Sequence, residues 1–186
     1  MPRCAVLLSI FLLCSMQSSL AYSAEGDGLL PDLKVAFIYN LTRFIQWPKA
    51  PVGQPLQPFV IGVVGDPLMA ERLRVLEHEG RRVDGRPIAI HTYEYPGAPD
   101  CCEILFVGGD ADAELDAIIQ HAAGSPVLLV GDTPGYAGRG IAIELFRKPD
   151  IFRKTERLRL RIDPAALMGR GLVISAQLYD VAEVVK

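Results

Sequence analysis

The sequence predicts an α/β domain of three layers, with a mostly parallel sheet, helices on both faces and an antiparallel edge pair. Three observations carry that prediction. Phe59–Val64, Glu103–Val107 and Val127–Val130 are short apolar runs bounded by turn residues, as expected of strands buried on both faces. Segments with apolar residues at helical spacing stand between them, and such alternation indicates parallel strands covered by helices. The carboxyl third changes character. There Ile141–Phe146 and Leu158–Ile162 lie about a dozen residues apart, with a proline and charged residues between, which suits an antiparallel pair.

The first element is a helix over Lys34–Trp47. On a helical wheel Phe37, Ile38, Leu41, Phe44 and Ile45 fall within an arc of roughly 120°, the width of a stripe that faces a core. Tyr39, Arg43 and Gln46 fall opposite. Asp32, after Pro31, is placed to accept free N–H groups at the start. Pro48 ends the helix, because the residue before a proline is pushed out of the α region. Residues 49–58 hold Pro51, Pro55 and Pro58 and read as a loop. Gly65-Asp66-Pro67 closes the first strand, and Pro67 opens a helix, where its missing N–H costs nothing. Leu68, Met69, Leu73, Val75 and Leu76 supply the apolar face of that helix. A polar turn over 80–87 leads to the strand Ile88–Tyr93. After Glu103–Val107 comes a helix over Ala111–Ala122, faced by Leu115, Ile118 and Ile119. Beyond the two carboxyl strands, Asp163-Pro164 starts a short helix by a cap-then-proline pattern. Ser175–Val184 closes the chain as a helix with Leu178, Val181 and Val185 to one side.

The 186 residues suit one domain, spanning 31–186, with half of the residues apolar and a net charge of −3. Residues 1–21 read as a secretory signal peptide. Arg3 is the charged start, Ala5–Leu13 is an apolar run too short to span a bilayer, and Ser19-Leu20-Ala21 offers a cleavage site before Tyr22. A lipoprotein cut before Cys14 fits less well, since Leu13 stands where a small residue is wanted. Residues 22–30 are small and polar and read as a flexible tail. Removing 1–21 takes away one base and no acid, which leaves 18 basic and 22 acidic residues. That balance argues against nucleic acid as a partner, because such binding needs a strong basic footprint. The product is expected outside the cytoplasm.

A search for chemistry finds little catalysis. His78, His91 and His121 sit on different elements without metal-ligand spacing, and no Gly-x-Ser-x-Gly elbow is present. No cofactor or metal is expected. Gly131–Gly140 is rich in glycine and follows a strand, where open α/β sheets bind ligands. It runs into another strand rather than a helix, so it lacks the helix amino terminus of a phosphate cradle. It reads either as a long turn or as a recognition loop with Asp132, Tyr136 and Arg139 as polar contacts. Arg157-Leu-Arg-Leu-Arg-Ile162 alternates strictly, which puts Leu158, Leu160 and Ile162 inward and Arg157, Arg159 and Arg161 in a row outside. That row is either an edge strand guarded by charge or a docking stripe for an acidic surface, to which Arg147, Lys148, Arg153 and Lys154 add. Cys101 and Cys102 are adjacent. A bond between them would be strained, so they read as unpaired thiols, as a redox-sensitive strained pair or as the site of an intermolecular bridge.

The stretch Lys34-x-Ala-Phe-Ile-Tyr-Asn-x-x-x-Phe-x-x-Trp47-Pro48 resembles the opening signature of the YfiR-like family of periplasmic proteins. The likeness continues in order through Phe59–Pro67, Gly85–Ile88, Cys102–Gly108, Pro126–Asp132, Gly140–Leu145 and Leu172–Leu178. The resemblance implies a non-enzymatic repressor that binds the periplasmic sensor part of a membrane diguanylate cyclase, lowering cyclic di-GMP and biofilm formation. It also implies an outer-membrane partner and a homodimer. Relatives often carry a cysteine in the first strand that could pair with the one before Ile-Leu-Phe; here Gly62 lies in that strand and no cysteine does. The alternative is a periplasmic small-ligand module, with a cleft around Asp66, Gly108 and Asp132, that signals to a membrane histidine kinase or receptor. An enzyme is the weakest reading, since no base–nucleophile pair can be named.

Overall fold

The computed structural model describes residues 25–48, 56–94, 102–150 and 155–185. One unit comprises Met1–Leu30, of which Glu25–Leu30 are described, as the first turns of a helix. The other comprises Pro31–Lys186 and holds the sheet. In chain order the elements are α1 (Glu25–Leu41), β1 (Ile45–Gln46), β2 (Phe59–Val64), α2 (Pro67–Leu73), α3 (Val75–His78), β3 (Arg82–Val83) and β4 (Arg86–Tyr93). Then come β5 (Ile104–Val107), a 3-10 segment (Gly109–Glu114), α4 (Leu115–His121), β6 (Leu128–Gly131), β7 (Ile143–Asp150) and β8 (Thr155–Ile162). The chain closes with α5 (Pro164–Leu167), β9 (Val173–Ile174), α6 (Ala176–Val181) and β10 (Ala182–Val184).

The sheet runs in the order β10-β8-β7-β6-β5-β2-β4-β3, and β1 and β9 form a separate antiparallel pair. From β4 to β7 the neighbours are parallel; β7–β8 and β3–β4 are antiparallel. The expected three layers follow from strand alternation. On one face Ile61, Ile104, Phe106, Leu128, Val130, Leu145 and Leu160 pack with Ile38 and Leu41 of α1, Met69 and Leu73 of α2, and Leu178 of α6. On the other Leu105, Val107 and Leu129 pack with Leu115 and Ile118 of α4 and with Tyr136.

Several elements differ from expectation. The first helix begins before Asp32, which pairs with Arg72 at 3.1 Å instead of capping, and ends at Leu41 rather than Pro48. The Thr42 hydroxyl donates to the Tyr39 carbonyl at 2.6 Å, competing with the helical ladder. Ile45 and Gln46 then pair with Ile174 and Val173, and the Trp47 indole N–H donates to the Glu103 carbonyl at 2.9 Å. Tertiary pairing therefore claims the last turn. The second helix breaks at Arg74, and Leu68 and Val75, expected on its apolar face, are exposed. The turn over 80–87 contains a hairpin, with positive φ at Asp84 and Gly85, the pattern of a two-residue hairpin turn. The closing helix stops at Val181, and Ala182–Val184 add to β8 as a parallel strand. The antiparallel pair thus sits at the edge only over the first half of β8. The Pro51 and Pro55 loop and Cys101 lie outside the described residues.

Candidate functional site on the uncovered end of the sheet

One face of the sheet is covered only in part. Helix α4 and the Tyr136 loop pack over β2, β5 and β6. Beyond them β7, β8 and β10 turn the same face outward. Cross-strand register says which residues share it: Glu144 lies opposite Arg161, Phe146 opposite Arg159, and Lys148 opposite Arg157. Glu183 of β10 lies on the other side of Arg161. Leu158 and Leu160 alternate to the core, so the three arginines emerge together.

The row is answered by carboxylates that its own sequence segment does not contain. Arg161 donates to Glu144 at 2.7 Å, stands 3.5 Å from Glu183, and lies 4.2 Å over the Phe146 ring. Glu144 is only 1 % exposed, and its other oxygen accepts the Ala137 N–H at 2.9 Å. It thereby ties the arginine row to the Tyr136–Arg139 loop. The Arg157 Nε stands 2.9 Å from Asp150. Lys148 donates to Glu183 at 2.5 Å, and this bond first, with Arg161 behind it, holds the Glu183 carboxyl below the usual carboxylate range. Arg159 is exposed and has no carboxylate partner among the described residues. Arg139 donates to Asp112 at 2.6 Å and stands 3.6 Å from Asp116; the Asp112 bond holds its guanidinium above the usual arginine range. Of the residues expected to add charge, Lys148 shares the face, Arg147 lies opposite Leu158 on the other, and Arg153 and Lys154 lie outside the described residues.

The expected ligand residues are built into the fold. Asp66 accepts the Met69 N–H at 2.8 Å as the cap of α2. Asp132 pairs with Lys34 of α1. Tyr136 is buried, and burial raises its phenol pKa. The crevice between β2 and β5, where the strand order reverses, is closed: a Cβ on Gly108 would stand 2.3 Å from the Gly65 carbonyl, and the Gly108 N–H donates to Val64 at 2.8 Å. A cleft of about 520 Å³ opens beside it, at the ends of β2 and β4, lined by Asp66, Thr92, Tyr93, Glu94, Asp110 and Glu114 among others. Of Asp66, Asp132 and Tyr136 it takes only Asp66. Cys102 is buried, and the ring of Tyr93 fills the space that a side chain at position 62 would need, with 2.5 Å to a Cβ there. The histidines stay apart, and no three metal-ligating side chains gather among the described residues.

Sequence reasoning missed Glu144, Phe146 and Glu183. The signal for Glu144 was present: a single carboxylate inside the apolar run Gly140–Leu145 needs a cationic partner. Its pairing with Arg161 required the register. No helix among the described residues is long and apolar enough to cross a membrane. No curated protein matches the chain. Residues 31–183 match the family model described as YfiR/HmsC-like. With nearly the whole of the sheet-bearing unit so matched, the chain belongs to the YfiR/HmsC-like family, whose members are periplasmic regulators in diguanylate cyclase signalling.

Proposed function

We propose that this protein binds the periplasmic sensor part of a membrane diguanylate cyclase and holds it inactive, lowering cyclic di-GMP and biofilm formation. The observation that carries the reading is the uncovered face of β7, β8 and β10, with Arg159 exposed at its centre and without a carboxylate partner among the described residues. Arg139, Arg157, Arg159 and Arg161 are the proposed contacts. Binding one conformation of the sensor shifts its population, and the cytoplasmic output follows. Release by an outer-membrane protein and action as a homodimer belong to the same proposal. So does export through a cleaved signal peptide, which amino-terminal sequencing of the mature protein should show to end before Tyr22. The functional test is intracellular cyclic di-GMP in a strain lacking the gene. A rise over the parent supports repression; no change, with a membrane cyclase expressed, refutes it.

A second reading rests on the cleft at the ends of β2 and β4. Its carboxylates Asp66, Glu94, Asp110 and Glu114 suit a cationic small ligand, whose binding would be passed to a membrane histidine kinase or receptor. A rise in melting temperature with basic amino acids supports this reading. Melting curves that stay unchanged across that series refute it.

A further inference from the structure

The backbone of β8 has an open side. In the β7–β8 ladder, Pro149 lies opposite Glu156, and proline can donate no ladder hydrogen bond. That pair therefore points its backbone groups away from each other, and by alternation so do Arg147–Leu158, Leu145–Leu160 and Ile143–Ile162. The far side of β8 confirms this: the Ile162 carbonyl accepts from Val185, and β10 pairs with Leu160–Ile162. β10 begins at Ala182, opposite Leu160. Upstream of that point the outward N–H and C=O groups of Glu156 and Leu158 have no backbone partner among the described residues. Among the described residues nothing pairs with about 16 Å of this strand edge, at 3.3 Å per residue over Thr155–Arg159.

We infer that this edge takes an added strand, and that its occupant is an extended acidic segment of the protein partner. The inference rests on the protein-binding reading above and names how the partner docks. Charge selects the occupant. Arg157 and Arg159 flank the open edge on one face. A second copy paired antiparallel about Leu158 would set Arg157 against Arg159 of the other copy, and like charges directly opposite are destabilising. An acidic strand in the same place meets Arg159, which forms no ion pair with a carboxylate among the described residues. Main-chain bonds supply affinity and the arginines supply choice, the division found in strand-addition complexes.

The test uses the full chain and a labelled eight-residue peptide that alternates Glu and Thr, followed by fluorescence polarisation. Binding is expected, weakening with salt and absent for a peptide that alternates Lys and Thr. Glu156→Pro removes one outward N–H and the exposed Arg147–Glu156 pair at 3.4 Å while leaving the β7 ladder intact, so affinity should fall at least tenfold with the melting curve little changed. Arg159→Glu should abolish preference for the acidic peptide. Should Glu156→Pro not fold, the peptide N-methylated at alternate residues does the same work from the other side, and should fail to bind. Equal affinity for the methylated and plain peptides, or no binding of the acidic peptide to the wild type, overturns the inference. So does a wild-type dimer that Glu156→Pro dissociates, which would give the edge to a second copy. A cyclase periplasmic domain that binds wild type and Glu156→Pro alike upholds the proposed function and sinks strand addition. Peptide binding without cyclase binding does the reverse.

Discussion

Arg161 and Arg159 stand two residues apart on one strand, yet their loss should have very different consequences. In Arg161→Ala, Glu144, 1 % exposed in the wild type, keeps only the Ala137 N–H as a partner among the described residues. Removing one member of a buried ion pair costs about 3–5 kcal/mol. Arg161 is itself 31 % exposed, so water reaches its side of the pair and the lower end, about 3 kcal/mol, is expected. For a domain of this size that is a fall in melting temperature of roughly 6–12 °C. Arg159→Ala breaks no ion pair and should move the melting temperature by about 1 °C at most. Glu144→Gln in the Arg161→Ala background should recover part of the loss, because a neutral amide still accepts from Ala137. Thermal melts followed by circular dichroism at pH 7 read all of this. Equal melting temperatures for Arg161→Ala and Arg159→Ala would refute the reasoning. The contrast matters for function too: lost partner binding in an Arg161 variant would mix damage to the sheet with loss of a proposed contact, whereas Arg159→Glu probes the surface alone.

Three further expectations follow from buried or paired groups. Arg170 is buried without a carboxylate partner among the described residues, and burial lowers its pKa; it donates to the carbonyls of Ala166 at 2.6 Å and Ala122 at 2.8 Å. Arg170→Met strands the carbonyl at the end of α4 and should cost about 2 kcal/mol in urea unfolding; a loss below measurement error would show that water replaces the guanidinium. Glu183, held low by Lys148, contributes its attachment of β10 fully above the ordinary carboxylate pKa and loses it as pH falls through the lowered value. Hydrogen-exchange protection of Ala182–Val184 should therefore drop in acid before that of β2, and simultaneous loss would count against it. Gly62→Val should destabilise by about 1–3 kcal/mol, because its Cβ meets the Tyr93 ring at 2.5 Å, and Tyr93→Ala should relieve much of that cost in a double-mutant cycle.

Much of the fold was legible from pattern. Continuous apolar runs located β2, β5 and β6, because strands covered on both faces need no polar side. Asp66-Pro67 and Asp163-Pro164 marked α2 and α5, because cap chemistry is local: each aspartate accepts an N–H two or three residues on. Alternation in Arg157–Ile162 showed that three arginines share a face, because strand period is a property of the backbone. The sequence motifs also pointed to the family that residues 31–183 match. What the sequence could not decide was every pairing between distant segments. Ile45–Trp47 continued the helical spacing, yet β9 and Glu103 draw it out of the helix. The closing segment had a helical face, yet its last residues add to β8. The arginine row looked like bare charge until the register set Glu144 and Glu183 beside Arg161 and left Arg159 alone. Asp132 and Tyr136 had the chemistry of ligand contacts, but Lys34 and the core claimed them. In each case the deciding partner lies far away in sequence, and only the closing of the sheet brings it within bonding distance.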